Sequence, residues 1–560
     1  MKLSTLEEPE RRVWQAAATG ELVPFQVGDR EHDPPEKGAE WGAERTVRAE
    51  VITALLIGDG EAASVAVRGV RLRGARITGE LKLEAATLRC RLALVDCYFD
   101  SAITLDEATA VSVRLSGSHV PTVHARQLVT RGDLRLDKGF SVSGGVDLAG
   151  AHIGGVFDCT KGKFFNAIGP ALTAYRLTVD QDMVCSEGFE ATGEVGLSGA
   201  HIGGKFDCRG GKFSNRKPDG NPDSPALTAY RLSVDAYMFC GEGFEATGEV
   251  RLSGAHIGGR FDCTKGKFSN AIGPALTAYR LTVDQDMFCR QGFEATGEVR
   301  LSGAHIGGMF DCTKGKFFNA KGPALNLLRA TVSDQLRMDS AVLEGILDLT
   351  GAKTSIYYDD RASWPQKLRL DGFVYDAITD NSPEDASAKK PDLVKERLEW
   401  LRRNESGYSP QIYDQLAAVY RRAGHDDAAR RVLIAKQRRR FAQRNPAWRV
   451  GGYVLDGLVG YGYRTWLAAF WLAGFLIFGT WLFGSVYRGD LTPASKTNVP
   501  PPFQPFLYTL DLLLPVVSLH VRDAWIAHGA AQWWSVAFII VGWILATAVV
   551  LSLTGLLKRD

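Results

Sequence analysis

The chain has 560 residues, 45% of them hydrophobic and 23% charged, with 66 Lys and Arg against 64 Asp and Glu. That composition suits a folded chain with more than one core and excludes both a disordered chain and a polytopic transporter. A formal charge of +2 excludes a nucleic-acid-binding polycation, so any charged partner must answer to local asymmetry. Sixty glycines point to repeated tight turns, and nine cysteines are too few for a disulfide scaffold. No basic stretch followed by an apolar run opens the chain, so no secretory signal peptide is expected.

Residues 1–63 carry two helical patterns, 6–18 and 44–57, the second closed by Gly58. They are expected to form an N-terminal cap on the repeats that begin at residue 64, because the end of a stacked β structure is an open strand edge.

From 64 to 378 the sequence repeats. AHIGG recurs at His152, His201, His256 and His305, at offsets of 49, 55 and 49, each time followed by a Phe-Asp-Cys triplet. The longer offset comes from an insertion between Asn215 and Pro225, a turn expected to lie outside the packed structure. Each repeat resolves further into apolar pairs separated by one residue, such as Leu276/Ala278, Leu281/Val283 and Met287/Cys289. Successive pairs start five or six residues apart. A pair with one residue between is a two-residue-period signal, so each pair is a very short strand with both side chains on one face. A mainly β fold follows: a right-handed quadrilateral β-solenoid of about 22 residues per coil, with a rise near 4.8 Å per coil. Roughly a dozen coils would make a rod on the order of 60 Å long. This section resembles the pentapeptide-repeat family, whose chains wind into four-sided β-helices, although its alternating five/six step differs from that family's uniform five.

The same count places Cys159, Cys185, Cys208, Cys240, Cys263, Cys289 and Cys312 in one column inside the rod. Neighbours about 4.8 Å apart are within disulfide range. A collinear ladder does not converge on a metal ion, so these read as structural cysteines, small hydrophobes that fit a crowded interior. The four histidines face outward two coils apart, roughly 10 Å, too far to share a metal. No metal and no cofactor is expected, and no catalytic residue stands out.

Residues 379–390 read as a polar linker, and 391–450 as a basic helical domain with helices near 393–403, 409–423 and 425–444. The last two look like a tetratricopeptide hairpin. Residues 451–560 read as a membrane domain with uncharged spans at 466–487 and 533–557, each long enough to cross a hydrocarbon core of about 30 Å. Eight Lys and Arg and no acid lie between Arg430 and Arg449, whereas residues 488–531 hold three of each sign. The positive-inside rule then puts both termini and the solenoid in the cytoplasm, the chain being multi-pass in the cell membrane. Arg438, Arg439, Arg440, Arg444 and Arg449 are expected to face anionic lipid, at about 1 kcal/mol each.

Between the spans, 503–519 is apolar, too short to cross, and broken by Pro515, which suits a re-entrant helix. Span, re-entrant helix, span resembles the layout of two-transmembrane ion channels. The Val459-Gly460-Tyr461-Gly462 string precedes the first span and is read as an aromatic entry to the membrane instead of a filter. Asp511, with Thr509 and Ser518, is the candidate pore-lining or intersubunit group, because an acid at that depth needs water or a partner. An interfacial aspartate at the headgroups is the alternative.

End to end, the opening PERRVWQAAATGEL, the GAHIGG units, YDQLAAVYRRAGHDDAARRVLIAKQRRR and WILATAVVLSLTGLL resemble a group of actinomycete-type membrane proteins labelled "membrane-associated oxidoreductase". The label implies redox chemistry, yet the residues show no dinucleotide, flavin or haem motif. The expected function is a membrane-anchored cytoplasmic solenoid, oligomeric, with a channel-like two-span domain. The alternatives are a tethered scaffold binding a protein through the solenoid, and an oxidoreductase as the label says. The partners expected are lipids and further copies of the chain, not nucleic acid.

Overall fold

In the computed structural model the described residues are 3–28, 33–215, 224–380, 392–443, 446–464, 466–494, 502–514 and 517–553. They form two units: the first runs up to 380 and takes in Arg403–Gly407, the second comprises 392–402 and the residues from Tyr408 onward.

The first unit is a parallel β-solenoid of about 13 turns. Two-residue strands stack in four parallel ladders, linked where longer strands round a corner at the C-terminal end. Along one ladder Val113 pairs with Leu134, which pairs with Phe157, which pairs with Met183. Coil length therefore varies along this ladder, from 21 residues between Val113 and Leu134 to 32 between Phe206 and Met238. The longest coil holds the predicted insertion, of which 216–223 lie outside the described residues.

The predicted pairs supply the core. Leu276, Ala278, Leu281, Val283, Met287 and Cys289 are all fully buried. Burying both members of each pair removes apolar surface from water, a gain on the order of 25 cal/mol per Å². One interior edge is a continuous file of Phe140, Phe164, Phe189, Phe213, Phe244, Phe268, Phe293 and Phe317, with successive ring centroids 5.1–5.8 Å apart. A third corner turns on glycines at larger positive φ, Gly193, Gly248 and Gly297, whereas two corners of the coil use a residue at φ 45–69°. One runs through Gly254, Arg280, Gly303 and Arg329, the other through Gly210, Glu242, Lys265 and Gln291.

At the N-terminal end, α1 (Glu8–Thr19) and α2 (Ala49–Ile57) cap the first coil. The second helix starts later than its apolar pattern predicts, because Thr46–Arg48 is taken up as a strand against Arg76–Thr78. Val23–Pro24 likewise extends the ladder that starts at Val70. The open edge is thus closed by hydrogen-bonded chain as well as by helices. At the other end Asn404 accepts the Leu370 N–H at 3.0 Å and Glu405 donates its N–H to the Leu368 carbonyl at 2.7 Å.

The second unit contains α3 (Leu393–Arg402), α4 (Pro410–Arg422), α5 (Asp426–Ala442), α6 (Pro446–Val459), α7 (Trp466–Asp490), α8 (Pro505–Leu513) and α9 (Gly529–Leu553). The hairpin α4/α5 is pinned by Lys436, whose ammonium meets both carboxylate oxygens of Asp414 at 2.8 Å. Within α7 and α9, Trp466–Tyr487 and Gly529–Val550 are long and apolar enough to cross a membrane. The second begins four residues before the stretch predicted from the uncharged run, and 554–560 lie outside the described residues. Leu491–Pro493 pairs antiparallel with Trp525–Ala527, so α7 ends where α9 begins.

Candidate functional site

The short helix α8 packs against both long ones, around a core of Phe483, Tyr508, Leu512, Leu513 and Phe538. Two glycines allow the approach. A Cβ on Gly479 would collide with Thr509 and Phe538, and one on Gly542 with the Leu513 carbonyl. Pro505 sits at the first position of α8, where a missing N–H is tolerated.

The candidate polar groups of this segment separate. Thr509 is fully buried and donates to the Pro505 carbonyl at 2.8 Å, the usual recourse of a hydroxyl inside a helix among apolar neighbours. Asp511 is 2% exposed and accepts two backbone N–H groups, from Leu519 at 2.8 Å and Arg522 at 2.9 Å. Its carboxylate therefore folds the chain after α8 back onto the helix, and an anion holding two such donors is stabilised without a counter-charge. Ser518 is exposed and accepts the His520 N–H at 3.3 Å. Pro515 and Val516, where the predicted break falls, are outside the described residues.

The entry string is ordered by packing. Tyr461 takes a left-handed backbone, is 4% exposed and stacks on Phe441 with centroids 5.5 Å apart. Of the five basic candidates, Arg438 donates to Asp456 at 2.9 Å, and Arg439 bonds the hydroxyl of the buried Tyr413. Arg440 lies near the Tyr408 phenol. Consecutive residues on a helix sit about 100° apart, so the three do not form one stripe. Arg444 is outside the described residues, and of the Arg449 side chain nothing is described.

In the solenoid the seven cysteines stand one per coil, all buried and all free thiols. Cys159 contacts Cys185, Cys208 contacts Cys240 and Cys263 contacts Cys289. Desolvation pushes the Cys159, Cys208, Cys263 and Cys312 thiols well above their ordinary range. The histidine positions alternate with Thr178, Ser233 and Thr282 along one ladder, which separates them by two coils. Each of the first three finds an acid instead of another histidine: His152 meets Asp180 at 2.9 Å, His201 meets Asp235 at 3.3 Å and His256 meets Asp284 at 3.1 Å. Among the described residues no three His, Cys, Asp or Glu side chains converge on a common centre.

Sequence reasoning missed a concentration of charge at the first coils. Arg68, Arg71, Arg91, Arg114, Arg131 and Arg135 line one open groove there. The register that aligns Arg114 with Arg135 was readable from the coil length; the contribution of Arg68, from outside the ladder, was not.

Comparisons with family models, with curated proteins and with solved structures find no match to the chain.

Proposed function

We propose that the chain is a membrane-anchored β-solenoid that assembles with copies of itself through its two-span domain and presents the solenoid on the cytoplasmic face as a scaffold for a protein partner. The observation that carries this reading is the outer surface of α7 and α9. Phe470, Ile477, Trp481, Trp533, Ile540 and Trp543 are each more than half exposed, an apolar area too large for a soluble monomer. A bilayer satisfies it, with Trp481 and Trp533 toward the ends of their spans as interfacial anchors. The bonding of Asp511 and Thr509 inside one copy supports an anchor, since neither side chain is left facing water. Resistance to alkaline carbonate extraction, protection of the 488–531 segment from cytoplasmic protease and an intact-cell cross-link between copies are the expected results. A chain released by carbonate would overturn the reading.

A second, channel-like reading is supported by the placement of α8 between two spans, followed by a returning segment with Ser518 exposed. Several copies would have to surround a common path. Single-channel currents from purified protein in planar bilayers would favour it over the scaffold, and their absence from an oligomer would favour the scaffold.

A further inference from the structure

A cavity of about 760 Å³ lies among α3, α5, α6 and the turn that leads into α7. Six basic side chains line it, Lys395, Arg402, Arg431, Arg438, Arg439 and Arg464, against two acids, Asp392 and Asp456. Each acid is already engaged: Asp392 pairs with Arg431, and Asp456 accepts from Arg438. Among the described residues Lys395, Arg402, Arg439 and Arg464 have no carboxylate partner. Four like charges around one concavity repel unless an anion enters, and a guanidinium fork suits the oxygens of a phosphate. Tyr413 adds a hydroxyl at the wall: it bonds Arg439 and has a proton of its own to donate.

The position of the cavity names the kind of phosphate. One residue separates Arg464 from the start of the first apolar span at Trp466, and Tyr461, which stacks on Phe441, lines the same cavity. A group bound there sits level with lipid headgroups if α7 crosses the bilayer. We infer that this cavity is a binding site for the phosphate headgroup of an anionic membrane lipid, with Arg402, Arg439 and Arg464 as the principal contacts. The inference rests on the membrane-anchored reading.

The test uses the full chain in nanodiscs of phosphatidylcholine with and without phosphatidic acid, followed by native mass spectrometry of retained lipid. Retention of phosphatidic acid over phosphatidylcholine is expected, falling at least about tenfold when Arg402, Arg439 and Arg464 are all changed to Gln. Arg421→Gln, on α4 and off the cavity, is expected to leave it unchanged. Arg439→Lys, which keeps the charge, is expected to retain most binding, and an unaltered melting curve for the triple variant shows that the fold is intact. Equal retention of the two lipids, or a triple variant that holds phosphatidic acid like the parent, would overturn the assignment. Inorganic phosphate that competes at equal concentration would overturn the lipid source and leave a site for soluble phosphate. Carbonate extraction of the parent chain separates the outcomes: release from the membrane defeats the anchor itself, whereas a retained chain without lipid selectivity defeats only this site.

Discussion

The carboxylate of Asp511 accepts the backbone N–H of Arg522, eleven residues further along, at 2.9 Å, while its other oxygen takes the Leu519 N–H at 2.8 Å. The acid therefore closes a loop inside one copy of the chain. Asp511→Asn replaces one accepting oxygen with a donor that faces an N–H, which leaves a buried donor unmet at about 1–3 kcal/mol. Thermal unfolding in mild detergent should show a lowered midpoint and faster proteolysis within 517–528. A variant that melts like the parent but alters ion selectivity would instead assign Asp511 to a pore.

The glycine pair after each repeated histidine is required by space. Gly258 does not have a positive φ, yet a Cβ there would lie 2.5 Å from the Asp235 carbonyl oxygen, and the same holds for Gly203 against Asp180. Gly258→Ala must push one coil off the next, a clash of about 1–3 kcal/mol. Arg280→Gly should act in the opposite direction, because Arg280 holds a left-handed backbone at φ 51°, which for a residue with a Cβ costs about 1 kcal/mol. Circular dichroism melts of the two variants should move to opposite sides of the parent, and equal shifts would refute the distinction.

The contrast between those positions shows what could be read from the chain alone. Pairs such as Leu281/Val283 announce a short strand because both side chains must enter the same interior, and a two-residue period has no other simple outcome. The strand Thr46–Arg48 was not legible, since three residues gain their conformation only from pairing with Arg76–Thr78. The bonds of Asp511 were hidden for the same reason: both partners are backbone groups, placed by how the chain turns after α8. The basic cavity draws on Arg402, Arg439 and Arg464 from separate elements, whereas the sequence shows only a run of neighbouring arginines that the helix then splays apart.

Native thiols should be nearly inert. The nine cysteines are buried, and desolvation raises the Cys97 thiol to about 12, so little thiolate forms at neutral pH. Labelling with a chromogenic disulfide reagent should detect almost none in the folded chain and all nine after denaturation. Rapid reaction of several thiols in the native protein would contradict the packing of the column.

The N-terminal cap should loosen in acid. Glu10 is 1% exposed; burial alone would raise its carboxyl, but Arg48 donates to it at 2.7 and 2.6 Å, with help from the N–H groups of Glu7 and Arg48, and the balance is a lowered pKa. A carboxyl depressed by folding stabilises the native state above its unfolded value, about 4.3, and that contribution disappears as the pH falls through the lower folded value. Hydrogen exchange of α1 amides should therefore accelerate below about pH 4 in the parent, beyond the intrinsic pH trend. Glu10→Gln should exchange faster than the parent at neutral pH and show a flatter acid dependence. Parallel profiles for the two proteins would mean that the Glu10 and Arg48 pair does not hold the cap.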